Sequence, residues 1–203
     1  MAHDLNSVKS YHHGDLRAAL LKAAESVIAE RGVDGFSLRE TARRAGVSPA
    51  APAHHFRDAR GLLTALAADA FRRFGDALEA AGAMGETRDA KIRAQGIAYV
   101  LFALQERAKF DLMWRYALID REDPEYDRAA RRAFQLLDRA ARGETGTPGP
   151  GSLDPSLAPS IACWALVHGF ARLALDGAFG TGDRAAERAT EALLPAVLRQ
   201  LAV

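Results

Sequence analysis

The stretch from Ser37 to Phe56 constrains this chain most, because it carries start and stop signals for two short helices with a sharp turn between them. Ser37 followed by Glu40 is a capping box, in which each side chain satisfies a free amide at a helix start. A helix from Leu38 to Arg44 then stops at Ala45-Gly46, where glycine takes the backbone angles of a tight turn. Ser48 is expected to cap the second helix, with Pro49 at its first position, where a missing N–H costs nothing. Val47 and Phe56 are apolar anchors able to lock the second helix across the first. A short helix braced steeply on a partner has the geometry that fits a DNA major groove. An ordinary corner between two helices of a bundle carries the same signals.

The rest of the 203-residue chain reads as helix. Ala, Leu and Arg dominate, apolar residues recur at helical spacing, and no alternating Val/Ile/Thr run suggests a strand. The expected fold is all-α, with about nine helices. A net charge of +1 excludes a polycation that coats nucleic acid. The distribution is more informative: residues 1–60 hold nine Lys/Arg against seven Asp/Glu, and five of the six histidines. That mild bias suits a small phosphate-contacting face. Cys163 is the sole cysteine, so neither an internal disulfide nor a thiolate metal cluster is expected. No signal-peptide core and no apolar run of membrane-spanning length is visible, so a cytoplasmic protein without a membrane partner is expected.

Along the chain, Met1 to Ser10 is an unpatterned arm. A first helix from about Gly14 to Arg31 carries Leu16, Leu20, Ala23, Ala24, Val27 and Ile28 as one stripe. After the paired short helices, Asp58 is expected to cap a fourth helix, Gly61 to about Ala80. The pattern breaks at Gly82 to Gly85, and the domain boundary is set on the helix leading to that break, giving a head of residues 14–74 and a body of residues 75–203. Further helices are expected over 88–107, 109–119, Asp123-Pro124 to about Arg142, Leu157 to Phe179 and Arg184 to Leu201. Gly143 to Ser152 is a loop, and Pro195 is expected to bend the last helix.

The body gathers aromatic and soft residues, Phe102, Phe110, Met113, Trp114, Tyr116 and Phe134, a lining suited to an apolar or aromatic small molecule. Plain core packing explains any one of them equally well. Arg115, Asp120 and His168 are candidate polar anchors, with structural roles as the alternative. Ala162, Ala165 and Gly169 form a small-residue strip that, with Leu193, Leu194, Val197 and Leu198, offers a seam for a second copy of the chain. His12-His13 lacks carboxylate or thiolate partners at ligand spacing, so no metal site and no cofactor is expected.

In this order the motifs resemble the TetR family of transcriptional regulators. Residues 11–66 carry the likeness through "YHHGDLRAALLKAAESVIAERG", "FSLRETARRAGVS" and "HHF", and "WALVHGFARLALDG" is similar to the Trp–His–Gly signature of one C-terminal subgroup. The resemblance implies a three-helix DNA-binding head (helix–turn–helix 37–56), a linking fourth helix and a helical body that dimerises through its last two helices. It places Ser48, Pro49, Ala50, Ala53 and His54 on the recognition helix, with Val47 at its entry, and Ser37 and Thr41 on the supporting helix against phosphates. Arg43, Arg44, Arg57 and Arg60 are candidate phosphate contacts, solvated surface being the alternative for Arg43 and Arg44. His54 is a candidate donor, and His55 beside Phe56 reads as packed.

This sequence departs from the family at Ala53, where a tyrosine is usual, at Ala59, where many members carry lysine, and at Pro52. Tyrosine and lysine are both natural phosphate partners. Pro52 is expected to remove the first intrahelical bond of the recognition helix. The implied function is a non-enzymatic repressor with three partners: a double-stranded operator, a second copy of the chain and a small effector. An all-α enzyme is the rival, but no phosphate loop, nucleophile elbow or paired-carboxylate motif is visible. A sensor without DNA binding is the other.

Overall fold

In the computed structural model, residues 13–143, 152–180 and 184–200 are described, with side chains from Leu16 onward. Among them are nine α-helices and one 3-10 turn, and no strand. His12 and the side chain of His13 lie outside the described residues.

Helix α1 (His13–Arg31) buries Leu20, Ala23, Ala24, Val27 and Ile28 along one stripe. It ends at Gly32, whose φ of +71° is the left-handed conformation of a helix C-terminus. Helix α2 (Leu38–Arg44) begins at Ser37, whose Oγ accepts from the Glu40 amide at 3.3 Å. The reciprocal half of the expected capping box is displaced, because the Glu40 carboxylate is turned to the guanidiniums of Arg31, Arg43 and Arg44.

Helix α3 (Ala51–Phe56) starts later than the sequence suggests. Ser48 and Pro49 precede it in a turn in which the Ala51 amide donates to the Ser48 carbonyl at 3.0 Å, and the cap position falls on Ala50 with no side-chain bond. Pro52 therefore occupies the first helical turn, where its missing N–H would have had no intrahelical partner, and its ring is buried. The expected loss of a helix bond does not arise.

Helix α4 (Ala59–Ala83) links head and body as one continuous element of 25 residues, so the 74/75 boundary falls inside it. Asp58 caps it through Oδ1, which accepts from the Gly61 amide at 2.8 Å. The junction between α3 and α4 is unusually tight. Arg57 has φ +66° and ψ −57°, and the Asp58 amide donates to the Phe56 carbonyl at 2.8 Å, which together form a γ-turn of the rare, strained kind. A Cβ added at Gly61 would lie 1.9 Å from the Phe56 carbonyl oxygen, so only glycine fits there.

The body comprises α5 (Arg88–Gln105), α6 (Arg107–Met113), α7 (Pro124–Arg142), a 3-10 turn (Pro155–Leu157), α8 (Ala158–Leu175) and α9 (Ala185–Leu198). Thr87 and Asp123 cap α5 and α7 through their side chains, and Gly143 in the left-handed region closes α7. The sixth helix stops at Met113, not at residue 119, and residues 114–123 cross from α6 to α7 as turns. The eighth stops at Leu175 rather than Phe179, turning at Gly177 (φ +80°) so that Phe179 folds back onto Phe170, ring centroids 5.1 Å apart. Helix α9 runs on through Pro195 to Leu198.

One apolar core runs from Leu20 and Ile28 in α1, through Leu66, Phe71 and Phe74 in α4, to Leu194 and Leu198 in α9. The window Pro155–Leu175 is long and apolar enough, at a mean hydropathy of 1.3, to pass as a membrane span, which corrects the expectation of no such run. The cause is an apolar helix with two uses: one side packs on α5, α7 and α9, while Ile161, Ala162, Ala165 and Leu173 face outward.

Candidate DNA-binding head and effector cavity

On the head, Ser48, Pro49, Ala50, Ala53, His54 and Arg57 are exposed together on and around α3, above the buried Pro52 and Phe56. A groove beside them is lined by Arg31, Ser37, Arg39, Glu40, Arg43, Val47 and Pro49. Arg39 and Arg57 make no ion pair among the described residues, which leaves their guanidiniums available to an anionic partner. Sequence reasoning passed over Arg39, although an arginine in the first turn of a short amphipathic helix is a fair signal for an outward cation.

Three candidates on the head do different work. Thr41 is fully buried and its hydroxyl donates to the Ser37 carbonyl at 2.9 Å, so it cannot face a phosphate. Arg44 donates to Glu30, Glu40 and Ser26 at 2.6–2.9 Å and clamps α2 to α1. Arg60 points the other way, its Nη2 donating to the Ile119 carbonyl at 2.8 Å in the body. Arg43 is exposed but held by Glu40 through two bonds of 2.8 Å. The hydrogen bonds of Arg43, then Arg44, hold the Glu40 carboxyl at about 2, well below its ordinary value. His55 is half-buried with its ring 6.3 Å from that of Phe56.

The body holds a cavity of about 470 Å³ that opens to solvent beside Tyr116 and Arg121. Phe71 and Phe74 of α4, Tyr99 of α5, Tyr126 and Phe134 of α7 and Trp164 of α8 wall it, with Trp114 and Tyr116 from the segment after α6. The rings brace one another edge-on: Phe71 meets Tyr126 at 5.5 Å and 85°, and Phe74 meets Tyr99 at 4.9 Å and 87°. Tyr99 Oη accepts from Trp164 Nε1 at 3.3 Å and lies 2.8 Å from His168 Nδ1, to which it donates. That role fits His168, because burial, aided by Arg172, pushes its imidazole below the ordinary value and favours the neutral ring. The buried Nε1–H of Trp114 meets no acceptor among the described residues. Arg121, Glu122, Asp127 and Arg131 supply the charged part of the wall.

Trp114, Tyr116 and Phe134 thus take the expected place on the cavity. Phe102, Phe110 and Met113 do not: all three are buried in the core behind the wall. His168 stands behind the wall, bonded to Tyr99 and with its ring 5.0 Å from that of Trp114. Phe71, Phe74, Tyr99, Tyr126 and Trp164 were missed, although Phe71 and Phe74 share a helix face at i, i+3. Of the expected seam, Ala162, Ala165 and Leu193 are exposed and nothing lies within 4 Å of a Cβ built on Gly169. Val197 is half-buried. Leu194 and Leu198 are buried instead, on the face of α9 that meets α5 and α8, while Ile161 and Leu173 of α8 are exposed.

Cavity and head are physically joined by residues 109–125. Beyond Arg60 to Ile119, the Asp120 amide donates to the Thr64 hydroxyl at 2.8 Å, Arg115 pairs with Asp34, and Arg17 pairs with Glu125 at 3.5 Å. Lys109, buried, pairs with Glu25 of α1 at 2.6 Å.

Residues 92–197, more than half of the chain, match the tetracyclin repressor-like C-terminal domain, and residues 20–66 match the tetR family of bacterial regulatory proteins. The chain belongs to the TetR family. It is 34% identical over 82 residues to the HTH-type transcriptional regulator BetI of Yersinia pestis (strain Pestoides F), a match covering 40% of this chain and 41% of that relative's length. A protein of unknown function from Rhodococcus sp. RHA1 shares its fold over 97% of this chain and 100% of its own, at 35% identity and a TM-score of 0.73. RolR, solved with the ligand resorcinol, shares the TetR fold at 22% identity over 94% of this chain and 89% of its own, with a TM-score of 0.58.

Proposed function

We propose that this TetR-family chain is a DNA-binding repressor, released from its operator when a small apolar or aromatic molecule enters the body. The observation that carries the reading is the set of bonds from Arg60, Thr64, Asp34 and Arg17 of the head to Ile119, Asp120, Arg115 and Glu125, in the segment that carries Trp114, Tyr116, Arg121 and Tyr126 to the cavity wall. A molecule that displaces Trp114, Tyr116 or Tyr126 displaces a segment already tied to α1 and α4. The RolR complex with resorcinol is a precedent in the same fold for an aromatic occupant.

One six-residue recognition helix per chain offers too little surface for tight binding alone. Two chains, paired through the outward faces of α8 and α9, present two such helices to a near-palindrome with half-sites about 34–36 Å apart. Ser48 and His54 are the polar candidates for bases and phosphates, and Arg39 and Arg57 for phosphates. Ligand and operator then oppose each other by about 1–3 kcal/mol, roughly 5–150-fold in affinity.

Gel-shift titration of chromosomal fragments tests this. A full palindrome should bind far more tightly than a single half-site, affinity should fall steeply with salt, and Arg39→Ala should reduce the salt slope by about one. Equal affinity for half-site and palindrome would rule out the paired heads.

A further inference from the structure

Arg121 is exposed where the cavity wall reaches solvent, and its Cζ stands 4.5 Å from the centroid of the Tyr116 ring. Tyr116 is itself 42% exposed, so the two side chains form a stacked pair at the surface. A guanidinium lying on a ring is held by its face, which leaves its in-plane N–H fork free for a carboxylate. Arg131, also on the wall, is already spoken for: its Nε donates to both oxygens of Asp127, at 2.8 and 2.7 Å. Arg121 has no carboxylate partner among the described residues. Glu122, beside it, makes no ion pair among them either, but no ring holds it in place. An unheld side chain must be ordered on binding, while a stacked one is ordered beforehand.

We propose that the cavity selects planar aromatic carboxylates, with the ring system among Phe71, Tyr126 and Trp164 and the carboxylate on the fork of Arg121. This rests on the effector reading of the cavity, and narrows it from aromatic molecules in general to aromatic acids. The ring walls supply flat apolar contact, and Arg121 supplies the one pre-positioned, uncommitted cation on the lining.

The test is titration of the full chain with 2-naphthoate, naphthalene and 2-naphthylmethylammonium, followed by calorimetry and by Trp fluorescence. The same titrations are made on Arg121→Gln, an exposed position where the fold should be undisturbed. Naphthoate is expected to bind about five- to ten-fold more tightly than naphthalene, and the substitution should remove that preference, so that the two bind the variant alike. If naphthalene binds and naphthoate gains nothing, or the ammonium binds best, or Arg121→Gln keeps the preference, the acid reading is overturned and the effector cavity stands. If none of the three binds, both readings fall.

Discussion

Around α3 the chain is held by its backbone, and around the cavity by its rings. The head fixes its exposed helix with a γ-turn at Arg57, a side-chain cap at Asp58 and a glycine at 61 that admits no Cβ. Arg44, drawn to Glu30 and Glu40, and the buried Pro52 and Phe56 add to that support. The body has no such geometry at its working surface. Its walls stay apart because aromatic side chains meet edge-on, backed by buried Phe110, Leu112 and Met113. Backbone constraint tolerates no change of shape, whereas ring packing can yield around a guest. The difference matches the tasks proposed for each: one surface must keep its shape against a duplex, the other must deform on occupation.

Substitutions can break this contrast. Phe110→Ala should have the largest effect, because the ring is fully buried and meets Tyr99 at 5.9 Å and Trp114 at 6.0 Å. A loss of about 3–5 kcal/mol in urea unfolding is expected. Gly61→Ala should cost about 3 kcal/mol in urea unfolding by forcing the Phe56 carbonyl away, and should abolish operator binding. Operator binding that survived the substitution would mean that the joint at Phe56 does not set the position of α3.

Acid should find the head first. The Glu40 carboxyl lies near 2 when folded against 4.5 ordinarily, a depressed value, so its contribution is full above about 4.5 and is lost as pH falls toward 2. Wild type should therefore lose stability across that window more steeply than Glu40→Gln, read as the urea midpoint against pH. The smallest effect is expected at Arg57→Gly. Glycine relieves the positive φ, so stability should rise by up to about 1 kcal/mol in thermal unfolding while operator affinity drops with the lost cation.

Much of the architecture was legible beforehand, for reasons that can be named. Asp123-Pro124 and Gly143 bracket α7 because caps and breakers act locally, within a few residues of the end they fix. The start of α3 was misplaced because Pro49 and Pro52 are rival start signals with equal local merit. The choice falls to Pro52, whose ring is buried while that of Pro49 is exposed, and burial is not a local property. Thr41 and Arg44 were read as outward for the same reason: the bonds to the Ser37 carbonyl and Glu40 lie within one turn of α2, but the burial of Thr41 and the bond from Arg44 to Glu30, 14 residues away, exist only once α1 and α2 pack. Periodicity marked Phe102, Phe110 and Phe134 as inward, but an inward ring can face a void or a neighbour, and helical spacing does not distinguish them.

The γ-turn at Arg57 has a mechanical consequence. With Gly61 pressed on the Phe56 carbonyl, α3 and α4 share a joint without slack, and α4, about 37 Å long, carries Phe71, Phe74 and Leu78 to the cavity wall. Swinging so stiff an arm by about 5° moves its far end by roughly 3 Å. On the proposed repressor reading, a guest that tilts α4 would therefore carry α3 with it.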